Sequence, residues 1–394
     1  MEHTPVKKPS KHIVFAYADT GGGHRTTAQA AAKAVHQLYG DTFSTDLVNA
    51  INYLPYPFNQ MEKAYPLFVN SLTTAYHAFW QMTDTPQYVD FIRHYIELTS
   101  KAQSEAFLRE HPADLYVSCQ PILDQFIPGA VEQGNLQTPV IAIISDLVTV
   151  HAGFWSPKID HFIVPTEEAR QRALENDIPA YRISITGQPV APDFAARARN
   201  NSGLTRHDLR LDPARLTILL MGGGDGMGRL VETAQAIAHS QLPVQLVAVC
   251  GRNEHARKAL SALQTDVPVQ ALGFRNDIPE LMGAADVLVT KAGPGTICEG
   301  FIAGLPIILY DAVPGQETGN IDYVVGKGVG AWCPSPELVV NQLRAWINQP
   351  AARQRASQAS AALAMPDSAL NIARIVAAFA EPVPQPRHSE LLPV

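Results

Sequence analysis

Leu216-Thr217-Ile218-Leu219-Leu220-Met221 runs straight into Gly222-Gly223-Gly224, and Ile13-Val14-Phe15-Ala16-Tyr17-Ala18 reaches Gly21-Gly22-Gly23-His24 two residues later. Both stretches read as a buried strand handing over to a helix through a glycine turn. Glycine lets a backbone turn sharply and lie close to a ligand, and the N–H groups that open the next helix attract an anion. One such turn is weak evidence. Two, about 200 residues apart, each opening its own alternation of strands and helices, predict twin α/β nucleotide-binding domains facing each other across a cleft.

The alternation extends outward from both turns. In the first half the apolar runs predict strands at 12–18, 43–48, 114–118, 139–144 and 161–164, with helices at 23–39, 121–134 and 166–176. Thr166, followed by Glu167 and Glu168, supplies a cap and an acidic first turn to the last of these. The second half predicts strands at 216–221, 244–250, 267–272, 286–290 and 306–310. Repeated strand–helix units imply mainly parallel sheets covered on both faces. The rhythm breaks over 186–215, through Gly187, Pro189, Pro192 and the basic run Arg197–Gly203. The first domain is therefore set at 1–190, a linker at 191–215, the second domain at 216–370, and a C-terminal helix and tail at 371–394. Residues 1–11 read as a polar leader and Pro382–Val394 as a loosely ordered tail.

Composition narrows the class. The 394 residues give room for two domains of ordinary size. An apolar fraction of 46% with 17% charged residues is that of a globular protein. A formal charge of −7 without a basic stripe argues against a nucleic-acid partner. Cys119, Cys250, Cys298 and Cys333 are scattered without metal-ligand spacing and read as small core residues of a reducing cytosol. The apolar run after Lys7, Lys8 and Lys11 ends at Asp19, too short for a signal-peptide core. No run approaches the roughly 20 apolar residues that cross a bilayer, so any membrane work is expected at its surface.

The segment 53–88 stands outside the alternation. It holds Tyr53, Tyr56, Phe58, Tyr65, Phe68, Tyr76, Phe79, Trp80 and Tyr88. Rings with a polar tip suit a membrane interface or an apolar acceptor, and they equally suit a pair of helices packed on the first domain.

Chemistry concentrates after the strands. Lys291-Ala292-Gly293-Pro294-Gly295-Thr296-Ile297-Cys298-Glu299 follows the strand 286–290. Its glycines and Thr296 open a helix in a way that suits a diphosphate. Glu299 falls where a carboxylate could take two ribose hydroxyls, and Lys291 could offset phosphate charge; an ordinary strand–helix turn is the plainer reading. Pro314-Gly315-Gln316-Glu317-Thr318-Gly319-Asn320 follows the strand 306–310, at the sheet end where ligands sit. Gln316 and Glu317 there could meet sugar hydroxyls. His24 closes the first glycine turn and suits general-base work. Asp146 and His151, after the strand 139–144, point to the same sheet end, to orient an acceptor or to cap a helix.

Taken together, Ala18–Arg25, Met221–Gly228, Thr290–Thr296, Gly304–Leu309 and Gly315–Asn320 resemble the signatures of monogalactosyldiacylglycerol synthases. More distantly they resemble bacterial diacylglycerol glucosyltransferases and the N-acetylglucosaminyltransferase that makes lipid II. The resemblance runs from about residue 12 to 330 and is strongest in the second half. It implies a GT-B fold of two Rossmann-like domains, a UDP-hexose donor, a diacylglycerol acceptor, inversion at the anomeric carbon and peripheral attachment to a membrane surface. The glycines Gly22, Gly23, Gly223 and Gly224 fall to the UDP-sugar on this reading. By position Gly273-Phe274 would hold the uracil, Glu299 the ribose, and Gly293, Pro294, Gly295 and Thr296 the diphosphate. Gln316 and Glu317 would contact the hexose, Asn320 would support that loop, and His24 would be the base. Phe79, Trp80 and Trp155 are assigned to the acceptor or membrane side.

No Asp-x-Asp pair occurs in the chain, which fits a diphosphate held by backbone amides and a helix dipole, with no essential metal or other cofactor. Resemblance alone favours galactose over glucose as the transferred sugar. The expected location is the cytoplasm, on the inner face of the plasma membrane. Two other readings share features with this one: a UDP-sugar 2-epimerase, which would not need the aromatic insertion, and a non-enzymatic lipid-binding protein, which would not need the Lys291–Glu299 and Gln316-Glu317 constellations.

Overall fold

The computed structural model describes residues 11–20, 23–65, 73–200, 206–224, 226 and 228–381. Gly22, most of the leader and the tail from Pro382 lie outside the described residues. The first sheet is built from β1 (Lys11–Tyr17), β2 (Phe43–Asn49), β3 (Leu115–Ser118), β4 (Val140–Ile143), β5 (His161–Val164) and β6 (Ile183–Ile185), in the order β2-β1-β3-β4-β5-β6. The second uses β7 (Leu216–Met221), β8 (Val244–Val249), β9 (Val269–Leu272), β10 (Val287–Lys291), β11 (Ile307–Asp311) and β12 (Gly330–Trp332), in the order β12-β11-β10-β7-β8-β9. Strand pairs such as β1–β3 and β7–β10 run parallel. Parallel strands are covered on both faces, which is why Ile13-Val14-Phe15-Ala16 and Ile218-Leu219-Leu220 are continuous apolar runs with no exposed surface. The short edge strands β6 and β12 are not legible as apolar runs, since three residues of Ile-Ser-Ile or Gly-Ala-Trp carry almost no periodicity.

The covering helices of the first half are α1 (Gly23–Tyr39), α2 (Thr73–Thr83), α3 (Pro86–Thr99), α4 (Lys101–Glu110), α5 (Pro121–Gln133) and α6 (Glu167–Glu175). Thr166 caps α6 by accepting from the Ala169 N–H, as its sequence implies. Next come α7 (Phe194–Asn200), α8 (Leu230–Ala238), α9 (Glu254–Ser261), α10 (Ile278–Ala284), α11 (Pro294–Ala303), α12 (Thr318–Gly326), α13 (Pro336–Asn348), α14 (Pro350–Ala362) and α15 (Ser368–Ala380).

Two features tie the halves together. Part of the expected linker is not open chain: α7 buries Phe194 and Ala198 in the core of the second sheet. Ala198 comes so close to α10 that a Cβ on Gly283 would lie 1.9 Å from its carbonyl oxygen. The chain then returns at its end. Ala369, Ile372, Ala373, Val376 and Ala377 of α15 are buried against Ala28, Ala31 and Val35 of α1, in the core of the first domain. Small side chains on both helices allow this close packing.

Candidate active site

In an open parallel sheet, ligands collect at the C-terminal strand ends where the strand order reverses. That point lies between β1 and β3 in the first sheet and between β7 and β10 in the second. The residues singled out in the sequence leave the sheets at these two points or at strands beside them.

The second-domain wall is built from backbone. Gly223, Gly226 and Gly228 take φ values of +75°, +59° and +77° after β7, a region that penalises side chains. A Cβ on Gly226 would lie 2.1 Å from the Cys250 carbonyl oxygen, and one on Gly251 2.3 Å from that of Gly224. The turns after β7 and β8 thus press main chain on main chain, joined by the Arg252 N–H donating to the Gly224 carbonyl at 2.9 Å. At the end of β9, Gly273 leads to Phe274, whose ring is 56% exposed beside the Arg252 guanidinium at 5.6 Å.

Lys291 ends β10, and Gly293 begins α11 without a side-chain cap, with Pro294 in the first turn. A Cβ on Gly295 would meet nothing within 4 Å. The first-turn N–H groups of Gly295 and Thr296 are the orphan donors of a helix start, backed by the dipole. Glu299 follows on the same helix; burial lifts its carboxyl to about 7. After β11 the Glu317 carboxylate accepts from the Val313 N–H at 2.8 Å and folds the intervening loop upon itself. Asn320 Nδ2 donates to the Ala292 carbonyl at 2.8 Å, which holds the two loops together.

The first-domain wall is built from buried side chains. His24, in the first turn of α1, lies with Nδ1 3.1 Å from Ser145 Oγ and also bonds the Cys119 backbone. Burial lowers its pKa to about 4, so the imidazole is neutral. Asp146, beside Ser145, is buried and its carboxyl is pushed up to about 7, chiefly by desolvation, although the Gln316 amide hydrogen-bonds it. This loop reaches the opposite wall. Leu147 is buried in the second-domain core, and the Gly319 N–H donates to Thr149 Oγ1 at 3.0 Å. His151 is engaged on both nitrogens: Nδ1 accepts from the Gly153 N–H at 2.9 Å and Nε2 lies 3.1 Å from Thr83 Oγ1.

The aromatic assignments need correction. Trp155 is buried edge-on to Phe162 at 5.5 Å, inside the first-domain core. Trp80 lies edge-on to His151 at 4.6 Å and against Gly315 of the opposite domain. Of the three, Phe79 is the exposed one, at 51%. The reason is area: large rings bury where there is a surface to cover, and here the loop after β11 provides one for Trp80. Ser145, Thr149, Tyr65 and Tyr76 join the site without a motif to announce them. The density of tyrosines in 53–88 was the available signal. Among the described residues no helix is long and apolar enough to cross a membrane, and no group of three His, Cys, Asp or Glu residues is gathered for a metal.

Residues 24–190 match the family model for monogalactosyldiacylglycerol (MGDG) synthase, and residues 217–372 the glycosyltransferase family 28 C-terminal domain. A probable MGDG synthase of Glycine max is 36% identical over 93% of this chain and 71% of its own length. MGDG synthase 2 of Arabidopsis thaliana is 32% identical over 94% and 81%. Among solved structures, MurG of Acinetobacter baumannii aligns with a TM-score of 0.61 at 18% identity, covering 93% of this chain and 99% of that one. A UDP-GlcNAc 2-epimerase of Neisseria meningitidis aligns at 0.59 with 13% identity, over 93% and 98%. At such identities the structures establish the fold, GT-B, and nothing about substrate. The location expected from sequence is overturned: these plant relatives are named as chloroplastic, not as proteins of the cytoplasm or plasma membrane. Over nearly its whole length, the chain belongs to the monogalactosyldiacylglycerol synthase family.

Proposed function

We propose that this glycosyltransferase moves galactose from UDP-galactose to the free hydroxyl of diacylglycerol, with inversion, using the second domain for the donor and the first for the acceptor. The observation that carries the reading is the hydrogen bond between Gln316 and Asp146. It joins the loop suited to a hexose and a buried titratable carboxyl of the facing domain at one point. The uracil stacks at Gly273-Phe274, Glu299 takes the ribose hydroxyls, and the diphosphate sits on Lys291 and the first turn of α11. As the acceptor oxygen attacks the anomeric carbon, the bond to UDP breaks on the opposite face. Charge developing on UDP meets the α11 N–H groups, which obviates a divalent ion. Activity should therefore survive a chelator.

His24 takes the acceptor proton; burial keeps it unprotonated at neutral pH, though it makes the imidazole a weaker base than a free one. A specific observation favours a second reading with Asp146 as base: its carboxyl titrates near 7, where a base works best. His151, with both nitrogens occupied, orients Trp80 and its own loop.

The acceptor stays in the bilayer, so the first domain docks beside it. With a net charge of −7, docking rests on local apolar area rather than general attraction to anionic lipid. Phe79 and Met82 of α2 and Phe91 and Leu98 of α3 are exposed and supply that area. Replacing Phe79 and Phe91 with serine should weaken sedimentation with liposomes and leave UDP affinity intact. The activity itself is tested by UDP release, with UDP-galactose and UDP-glucose side by side. Release that needs added diacylglycerol supports the reading. Sugar epimerisation or UDP release indifferent to diacylglycerol would overturn it.

A further inference from the structure

The tyrosines of the aromatic insertion lie on the donor loop of the other domain. Tyr76, on α2, is 8% exposed and packs with Tyr65 and Trp80 around Val313, two residues beyond β11. The Tyr65 and Tyr76 rings meet edge to face at 6.2 Å. Their hydroxyls lie 3.3 Å and 3.2 Å from Gln316 Oε1. Trp80 covers the preceding residue: Gly315 has a φ of +84°, and a Cβ there would lie 2.7 Å from Trp80 Cδ1. On the far side of the same amide, Gln316 hydrogen-bonds the Asp146 carboxyl.

These partners fix which way round the amide stands. When Asp146 is ionised it offers only acceptors and faces the NH2 group, and the phenol hydroxyls, which also hydrogen-bond each other, share the donation to the oxygen at the other end. Burial raises both phenols far above the ordinary tyrosine range. They remain protonated donors at any pH at which the enzyme works. Gln316 thus belongs to the second domain by sequence and to the first by its hydrogen bonds.

We propose that Tyr65 and Tyr76 are positioning residues of the donor site, acting through Gln316: they hold its oxygen so that its NH2 group is presented to Asp146 in the empty enzyme and to a hexose hydroxyl when the donor enters. The inference rests on the reading that Gln316 meets the hexose. It makes the aromatic insertion part of sugar selection as well as of acceptor handling. Without the two phenols the amide is free to turn over and offer a carbonyl where an NH2 stood, so discrimination between epimeric hydroxyls should fall along with rate.

The test uses the full-length enzyme with UDP-galactose, UDP-glucose and a short-chain diacylglycerol, in Tyr65→Phe/Tyr76→Phe, in Gln316→Ala and in the triple variant. Phenylalanine keeps both rings and their packing. The double variant should lose about 5- to 50-fold in kcat/KM for UDP-galactose, the loss of two modest hydrogen bonds. Its preference between the two sugars should shrink, with affinity for UDP alone and melting temperature unchanged. In the Gln316→Ala background, removing the phenols should add less than about twofold, since groups acting through one another are not additive. If Gln316→Ala itself leaves turnover and sugar preference unchanged, the hexose reading of that loop fails. If Gln316→Ala is impaired while the double phenylalanine variant matches the parent, or if the losses simply add, the positioning role fails and the hexose reading stands.

Discussion

The two walls of the cleft are made of different material. On the second-domain side, main chain does the work: glycines at positive φ, carbonyls pressed against neighbouring turns, and the uncapped start of α11. On the first-domain side the candidate groups are buried side chains with displaced pKa values, His24 and Asp146, with Glu299 on α11 as their counterpart across the cleft. The contrast follows from the two tasks. A diphosphate carries charge throughout the reaction and is served by fixed dipoles that never change state. A proton acceptor must change state once per turnover, which only a titratable side chain can do. The second wall should therefore govern affinity and the first wall rate.

The strongest way to break this comparison is His24→Ala. If His24 takes the acceptor proton, turnover should fall by about 10²–10⁴-fold while UDP affinity, set on the other wall, stays as it was. A loss of UDP affinity of similar size would mean that the walls are not separable. The pH profile then decides between the two bases. A base must be unprotonated, so kcat/KM falls as pH drops through its pKa. With His24, at about 4, activity should hold down to about pH 5. With Asp146, at about 7, it should already decline below neutrality, and Asp146→Asn should flatten that limb.

The difference between the walls also explains what could be read from sequence. A glycine forced by φ or by a carbonyl 2.1 Å from its would-be Cβ leaves a letter in the chain that has few other meanings. The turn after β7 and the loop after β11 were legible for that reason, and the longer strands by their apolar runs. The helical repeat of α1 was legible too, because its buried alanines recur at the spacing of one face. The other wall is assembled from residues far apart in sequence. Ser145 is recognised only by lying on His24, Thr149 by holding Gly319, and Tyr76 by touching Gln316 240 positions away. Trp80 and Trp155 misled for the related reason that aromatic composition reports how much area must be covered, not by what.

Glu299→Ala sharpens the affinity side. If Glu299 receives the two ribose hydroxyls, removing its carboxylate leaves both without a partner in a desolvated place. That should cost roughly 1–3 kcal/mol, or about 5- to 150-fold in the dissociation constant of UDP. Turnover at saturating donor should change far less. Unchanged UDP affinity by calorimetry would move the ribose elsewhere, and a collapse of turnover with normal affinity would put Glu299 on the wrong wall.

The smallest effect is the most specific to this side chain. Burial raises the Glu299 carboxyl to about 7, so the empty site is part protonated at neutral pH. Ribose hydroxyls donate to a carboxylate more strongly than to a carboxylic acid. Binding UDP should therefore pull the pKa of Glu299 down and release a proton. Linkage fixes the sign: because the empty site binds more protons than the filled one, affinity rises with pH through the window around 7 and levels off above it. Between pH 6 and 8 the gain should be no more than about tenfold, the change in the ionised fraction over that window. Ionisation of the UDP phosphate adds its own pH dependence, which is why the comparison must be made against Glu299→Gln. That variant keeps the shape and one acceptor but has nothing to titrate. The difference between the two affinity curves isolates the carboxyl, and a flat difference would show that Glu299 does not meet the nucleotide in its ionised form.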